Sequence, residues 1–393
     1  MTTVGVAVAL MIAGFAVAAY AYVGYPVLLR LLAAVRPRAH RVAEPEAWPT
    51  ISVTIPAYNE ERAIAATLDA ILAGDYPADR RQILVVSDAS SDRTDEIVRG
   101  YADRGVELLR IPARGGKTAA ENAARDRLRG DIIVNTDASV RIAPGALKPL
   151  IACFADPEVG VASGRDVSVV QGTRDLNVGE SGYVGYEMWV RGLETRVGSI
   201  VGASGCFYAI RRQLHMTLFP AALSRDFACA LLAREAGFRA VSVDAAVCYV
   251  PRIRSLHLEY RRKVRTLTRG LETLWYKRTL LDPRRYGLFA WMLLSHKLIR
   301  WLAPWGLVLA AAGWLVLAAA LRSWALLALF LVPPALALGG WLWPEDRRAP
   351  RLLSLPAYVV SGIVAALDSW RRALRGELNP VWEPTRRVAP TPR

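Results

Sequence analysis

From Val4 to Leu29 the chain carries no charged residue, and an apolar run of roughly 25 residues can cross a hydrocarbon core about 30 Å thick. Such a run predicts a membrane anchor over residues 1–34, so the rest of the chain must fold beside a bilayer. A cleaved signal peptide is the alternative. The leader MTTV has no basic residue, however, and the run is longer than an h-region, so the anchor is read as uncleaved. Arg30, Arg36, Arg38 and Arg41 follow the run and nothing basic precedes it. This asymmetry predicts an outside N-terminus and a main domain in the cytoplasm. Composition agrees: 53% hydrophobic against 22% charged residues is too apolar for a soluble domain alone.

The formal charge of +15 raises the question of nucleic acid, but the basic residues lie beside apolar segments rather than in a stripe interleaved with aromatics. Cytoplasmic retention and phosphate binding account for them better, and no nucleic-acid partner is expected. Cys153, Cys206, Cys229 and Cys248 are widely spaced among apolar neighbours, as buried thiols in a reducing compartment would be, and the histidines are dispersed. Neither disulfides nor zinc is expected. No GxGxxG follows the first predicted strand, and ARGGKT lacks the first glycine of a phosphate loop, its place being taken by Ile111.

After the linker VAEPEAWPT, ISVTIP, ILVVSD, VELLRIP and DIIVNTD read as four strands. Between them, Glu60 to Ala73, the segment opening at SSDRTDEIV and Lys117 to Arg129 have helical patterns, Ser91 being the expected cap of the second. Such alternation predicts an α/β fold with a mainly parallel sheet whose ligands gather at the carboxyl ends of the strands. The domain is drawn over residues 48–285, including GASGCFYAIRR and a helix RDFACALLAREAG that ends at a glycine suited to a C-cap. Over residues 286–375, LFAWMLLSHKLIRWLAPW reads as an interfacial helix with His296, Lys297 and Arg300 toward one face. Gly306 to Leu321 and Trp324 to Trp343 read as two spans. The loop EDRRAPR and the tail, residues 376–393 with Arg386 and Arg387, are basic and expected inside; Leu352 to Trp370 must then lie along the membrane or re-enter it.

Two strands end alike, in VVSDAS and VNTDAS. A buried strand gains nothing from a carboxylate at its tip unless the carboxylate holds something. A nucleotide-sugar site needs two: one accepts a base N–H, the other binds the cation that neutralises a diphosphate. Asp88 and Asp137 supply them, with Mg²⁺ or Mn²⁺ taking one or two carboxylates beside phosphate and water. A turn or cap role is the alternative for either.

IPAYNE at 55–60, VSDASSDRT at 86–94, GGKTAAEN at 115–122, NTDAS at 135–139, GASGCFYAIRR at 202–212, RDF at 225–227 and RRKVR at 261–265 occur in one order. With the flanking membrane segments and the tail phrase VWEPTRR, this order resembles the membrane-bound family 2 glycosyltransferases, in the branch of the cellulose, chitin, hyaluronan and poly-N-acetylglucosamine synthases. The resemblance implies a GT-A type nucleotide-sugar-binding domain with transmembrane and interfacial helices. Tyr58, Glu60, Asp88 and Lys117 would bind the nucleotide, Asp137 the metal, and Ser204 with Gly205 the acceptor sugar. Asp226 would be the general base, and Arg262 with Arg265 would hold the departing diphosphate. Proton removal from a poorly nucleophilic hydroxyl requires a carboxylate within reach, and charge developing on UDP requires preorganised cations. A helix cap is the alternative for Asp226, and lipid headgroup contact for the two arginines.

The match has gaps. Asn135 stands where a second metal carboxylate would be, Arg225 precedes the base, and Thr266 replaces a tryptophan that stacks the acceptor, a role Trp275 or Tyr276 would have to fill. The expected activity is inverting transfer from a UDP-sugar to a growing polysaccharide or glycan. The rivals are single-sugar transfer to a lipid-linked acceptor and a silent partner in a polysaccharide export complex. The expected location is the cytoplasmic membrane, multi-pass and in contact with membrane lipids, with the catalytic domain facing the cytoplasm.

Overall fold

The computed structural model describes residues 2–38, 42, 44–169, 179–251, 255–344 and 349–377. Arg41, most of EDRRAPR and the tail phrase VWEPTRR with Arg386 and Arg387 lie outside them. One eight-stranded sheet forms the centre, in the order β3-β2-β1-β4-β7-β6-β8-β5. Strands β1 (Ile51–Ala57), β2 (Arg81–Ser87), β3 (Val106–Arg110) and β4 (Ile132–Thr136) run parallel, each followed by a helix or turn that returns the chain over a face. The near-continuous burial of β1, β2 and β4 is what a sheet covered on both faces requires, and β3 at the edge is more open. β7 (Phe207–Arg211) runs against them, antiparallel to β4 on one side and to β6 (Val159–Val169) on the other, so β6 and its parallel neighbour β8 (Arg239–Pro251) resume the first direction. The short β5 (Arg141–Ile142) closes the far edge.

The β4/β7 pairing positions the site. Thr136 pairs with Phe207, so the residue after β4 and the residues before β7 meet, and the Asp137 N–H donates to Cys206 O at 3.3 Å. On the other side, Ala57 pairs with Ser87, which brings Tyr58 beside Asp88. Both tips carry non-glycine residues in the left-handed region, Asn59 at φ 53° and Ala89 at φ 56°, which few side chains tolerate.

Several helices are shorter than their apolar patterns predict. Ile64–Leu72 begins four residues later than expected, after turns hydrogen-bonded to Glu60 O. The next helix is Thr94–Arg99, and Asp92 rather than Ser91 satisfies its start, accepting from the Thr94 N–H at 3.0 Å. Lys117–Ala124 tightens into a 3₁₀ turn instead of continuing to Arg129. Gly237 at φ 85° does end Arg225–Glu235.

Four helices are long and apolar enough to cross a membrane: Thr3–Val35, Leu288–Ala320, Trp324–Trp341 and Arg351–Leu374. One differs from the reading of the sequence: LFAWMLLSHKLIRWLAPW is not a separate interfacial helix but the first half of the 33-residue Leu288–Ala320 helix. Leu352 to Trp370 lies within Arg351–Leu374, whose length would suit a crossing as well as a path along the membrane. The first two helices pack along small residues. A Cβ on Gly306 would come 2.8 Å from Gly14 O, and one on Gly313 would come 2.7 Å from Ala7 O. Dispersion at such close approach supplies the association that hydrophobicity cannot provide inside lipid.

Candidate active site

A cavity of about 400 Å³ opens where β4, β7 and the start of the Arg225–Glu235 helix converge. Lys117, Asp137, Gly205, Asp226, Arg262 and Arg265 line it, so six of the ten sequence-predicted residues share one space. Lys117 holds the centre. Its ammonium donates to Asp137 Oδ1 at 2.5 Å and to Gly205 O at 2.6 Å. Burial alone would lower its pKa, but the fields of Asp137, Glu121 and Asp226 outweigh that and carry it above the ordinary lysine range. Lys117 therefore stays charged at any physiological pH.

Asp226 is the second residue of its helix, two positions past the Ser224 cap site, and Ser224 Oγ donates to its Oδ1 at 2.8 Å. Its other oxygen lies 3.0 Å from where a Cβ on Gly205 would be, so the missing side chain at Gly205 makes room for the carboxylate. Arg225, which precedes it, turns away from solvent: it donates to Asn122 Oδ1 at 2.6 Å and to His215 O at 2.7 Å. The arginine that departs from the family pattern thus anchors the helix and leaves the neighbouring carboxylate facing the cavity.

The Leu256–Tyr276 helix lays its arginines along one face. Arg262 is fixed by Glu259 at 2.8 Å and Glu180 at 2.8 Å. Arg269, seven residues on, also lines the cavity and donates to Thr118 Oγ1 at 3.0 Å. The i, i+3, i+7 spacing of Arg262, Arg265 and Arg269 is visible in the sequence, and continuing it by one step finds the third.

Tyr58, Glu60 and Asp88 sit at the adjoining tips of β1 and β2, outside the cavity lining. Asp88 connects the two regions: Oδ1 accepts from the Gly115 N–H at 2.7 Å and Oδ2 from the Gly116 N–H at 2.8 Å, which fixes the loop leading into Lys117. The Arg114 guanidinium stacks 3.8 Å from the Tyr58 ring centroid. Ser204 is buried, and its hydroxyl donates to Asp166 at 2.6 Å while accepting from the Cys206 N–H, so it shapes the turn. Burial raises the Asp166 carboxyl above the usual range, against the opposing pull of Arg191 and the Ser204 hydrogen bond.

The aromatics in the cavity, Tyr183, Phe227 and Trp301, are not those the sequence suggested for the acceptor. Trp301 lines the cavity and packs edge-on to Phe227, centroids 6.1 Å apart, whereas Trp275 and Tyr276 are 68% and 51% exposed and outside the lining. Arg191, Glu187 and Lys297 also line the cavity. Arg191 and Glu187 carried no local signal, and the face that gave Lys297 an interfacial reading turns inward.

Among the described residues no three carboxylate, histidine or cysteine side chains cluster as a metal cage. The donor set still suits a hard divalent cation held by one carboxylate and completed by diphosphate oxygens and water, with Asp137 lining the cavity and already paired with a cation, the Lys117 ammonium.

The mainly parallel sheet, with β7 and β5 running against it, has the GT-A fold. Residues 52–219 match the family model of Glycosyl transferase family 2. That stretch of the chain, under half of its length, is similar to this family. Its backbone superposes on the mannosyltransferase PcManGT from Pyrobaculum calidifontis, solved in complex with GDP-Man and Mn²⁺, with a TM-score of 0.74 at 24% identity, covering 96% of this chain and 100% of that one. An N-acetylglucosaminyltransferase of Rhizobium sp. (strain N33) is 27% identical over 257 residues, 60% of this chain and 56% of the relative. A beta-monoglucosyldiacylglycerol synthase of Synechocystis sp. is 31% identical over 117 residues, 29% of this chain and 24% of the relative. The chain spans about half the length of the curated relatives it matches.

Proposed function

We propose that this chain is an inverting hexosyltransferase that takes a sugar from a nucleoside-diphosphate sugar, UDP-linked by our first expectation, and adds it to a glycan or lipid-linked acceptor at the membrane surface. The observation that carries this reading is the placement of Asp226 and Asp137 in one cavity, joined through Gly205 and Lys117. Asp226 removes the proton from the acceptor hydroxyl as the oxygen attacks the anomeric carbon from the face opposite the diphosphate. The bond from that carbon to the phosphate oxygen breaks, and its electron pair leaves with the nucleotide. Arg262, Arg265 and Arg269 meet the charge that grows on the departing group, and because Arg262 is fixed beforehand by two carboxylates and Arg269 by Thr118 and the Leu223 carbonyl, they favour the transition state over the bound substrate. Mg²⁺ or Mn²⁺ held by Asp137 would supply charge neutralisation at the diphosphate. Tyr58, Glu60 and Asp88 form the nucleoside side of the site, and the turn at Ser204 and Gly205 the acceptor side.

We assign residues 1–34 to an anchor, 48–285 to the catalytic domain in the cytoplasm, and 286–375 to the C-terminal membrane region. Contacts between Arg351–Leu374 and the cytoplasmic Leu256–Tyr276 helix support a path along the membrane face. Ser369 Oγ donates to Val264 O at 3.2 Å, and the Lys263 ammonium lies 3.6 Å from the Tyr358 ring centroid. The tail, residues 376–393, then stays inside.

The test is nucleotide release by the purified chain from a panel of UDP-glucose, UDP-N-acetylglucosamine and GDP-mannose, with Mn²⁺ or Mg²⁺. Release of none above the rate without protein refutes enzyme activity and leaves the silent-partner reading. Product length separates polymer extension from single addition. For chemistry, Asp226→Asn should lower turnover by roughly 10²- to 10⁴-fold with nucleotide affinity unchanged. Wild-type turnover in that variant would move the base elsewhere.

A further inference from the structure

The donor chemistry above leaves Arg191 and Lys297 without a task. Both line the cavity, on the wall built by the Gly179–Val197 helix and the Leu288–Ala320 helix. Arg191 is 8% exposed, and its Nε and Nη1 have no hydrogen-bond partner among the described residues. The Lys297 ammonium lies 5.5 Å from the centroid of Phe227, the residue after Asp226, and 3.5 Å from where a Cβ on Gly202 would be. It therefore stands beside both the proposed base and the acceptor turn.

The nearby carboxylates are shared and leave part of the Arg191 guanidinium without a direct hydrogen bond. Glu187 is shared by Arg300 at 2.6 Å, His296 at 3.0 Å, Arg191 at 3.6 Å and Lys297 at 3.8 Å. Glu194 is occupied by the Tyr25 hydroxyl at 2.6 Å and His296 at 2.5 Å. Asp166 accepts from Ser204. Three cations thus share the two glutamates and Asp166, and the two Arg191 nitrogens that find no hydrogen-bond partner among the described residues are costly to bury unless an anionic acceptor joins them. The donor diphosphate has its own cations on the Leu256–Tyr276 helix. The second anion is reached along the bilayer: the wall continues into a membrane-crossing helix, and Tyr22, Tyr183 and Trp189 beside it are 43%, 44% and 46% exposed, the amphipathic rings that favour a membrane interface.

We propose that Arg191 and Lys297 bind the phosphate of a lipid acceptor and thereby present its hydroxyl to Asp226. The proposal rests on the transferase reading above and names its acceptor: an alkyl chain bearing a phosphate ester, from either a phospholipid headgroup or an isoprenyl-phosphate-linked sugar.

The full chain in a phosphate-free detergent, with UDP and Mn²⁺ saturating the donor site, is titrated calorimetrically with dihexanoylphosphatidylglycerol, geranyl phosphate and phosphate-free dihexanoylglycerol. A phosphate-bearing probe should bind at least about tenfold more tightly than dihexanoylglycerol. Arg191→Gln and Lys297→Gln should each weaken it by about tenfold or more, the scale of one charged hydrogen bond, with UDP affinity held within about twofold. Lys297→Arg should restore binding. Tighter binding of the first probe assigns the phospholipid source, and of the second the isoprenyl source. Equal binding of dihexanoylglycerol, or wild-type affinity in both glutamine variants, overturns the proposal. The wild-type comparison of probes stands even if a variant does not fold. Repeating the titration without UDP reads the phosphate site alone, so a chain that fails to bind nucleotide loses the donor reading and not this one.

Discussion

Replacing Lys117 by methionine separates the two jobs the lysine performs, holding the strand tips together and standing where a cation is needed. The ammonium is buried between Asp137 Oδ1 and Gly205 O, with side-chain exposures of 23% for Lys117 and 20% for Asp137. Removing one partner of a buried pair typically costs about 3 to 5 kcal/mol, because the other charge stays behind uncompensated. Residual exposure here takes roughly a third from that, leaving about 2 to 3 kcal/mol. For a domain of this size the loss corresponds to a fall of about 4 to 12 °C in the unfolding midpoint. Because Lys117 has its pKa raised in the fold, its contribution is fully present below the unfolded lysine value and is lost only as pH rises through the folded one. The deficit of Lys117→Met should therefore be constant from pH 6 to 9. The same change removes a competitor for the carboxylate. A unit charge and a divalent ion about 4 Å apart repel by about 8 kcal/mol at an effective dielectric of 20, and even partial relief of that should tighten Mn²⁺ binding at least about tenfold. The assay is thermal unfolding in EDTA and in graded Mn²⁺, with titration calorimetry for the affinity. The variant should melt low in EDTA and recover more than wild type as Mn²⁺ rises. Equal midpoints in EDTA, or equal Mn²⁺ stabilisation of both proteins, would refute the account of Asp137 as the cation's ligand.

Two further substitutions test neighbouring parts of the fold. Asp88→Asn keeps one acceptor oxygen but sets an amide N–H against the second glycine N–H, so it should cost about 1 to 3 kcal/mol in stability and loosen the loop before Lys117; unchanged unfolding and unchanged UDP affinity would rule this out. Lys263 is held at about 8 chiefly by burial and by neighbouring Arg262, against the pull of Glu259. Its charge therefore destabilises the fold fully below pH 8, and the penalty is relieved as pH rises toward 10.5. Lys263→Met should raise the unfolding midpoint at pH 7, by less than the full burial penalty because the contact with Tyr358 is lost, and should give no gain at pH 10.5.

The sheet was legible because apolar strands alternate with patterned helices, and the strand-tip aspartates because a carboxylate ending an apolar run needs a reason. Helix starts were less legible: Asp92 and the turn at Glu60 compete locally with the helix by offering the backbone other partners. Ser204 looked accessible in GASG, but its hydroxyl is bound by Asp166, thirty-eight residues away in sequence. Distance in sequence also hid the membrane-side wall. His296, Lys297 and Arg300 had the spacing of an interfacial face, and their partners Glu187 and Glu194 are more than a hundred residues upstream. No local window contains both halves of that pairing.

A helical irregularity makes that wall compatible with a membrane span. Leu288–Ala320 must meet two surfaces: Gly306, Ala310 and Gly313 pack on the first helix, while His296 and Arg300 are buried against Glu187 and Glu194. In an uninterrupted helix each residue advances by about 100°, so both faces would be fixed by one phase. The chain takes a π-helical turn at Leu294–Ile299, and the first helix takes another at Tyr20–Gly24, with Tyr20 and Ser295 joined across them at 2.8 Å. The wider turns change the phase between the segments on either side. The lipid-facing part can then keep its small-residue seam while Lys297 points into the cavity beside Phe227. The position of that ammonium relative to Asp226 is consequently set by the packing of the two apolar helices, which would tie the proposed acceptor side of the site to the bilayer.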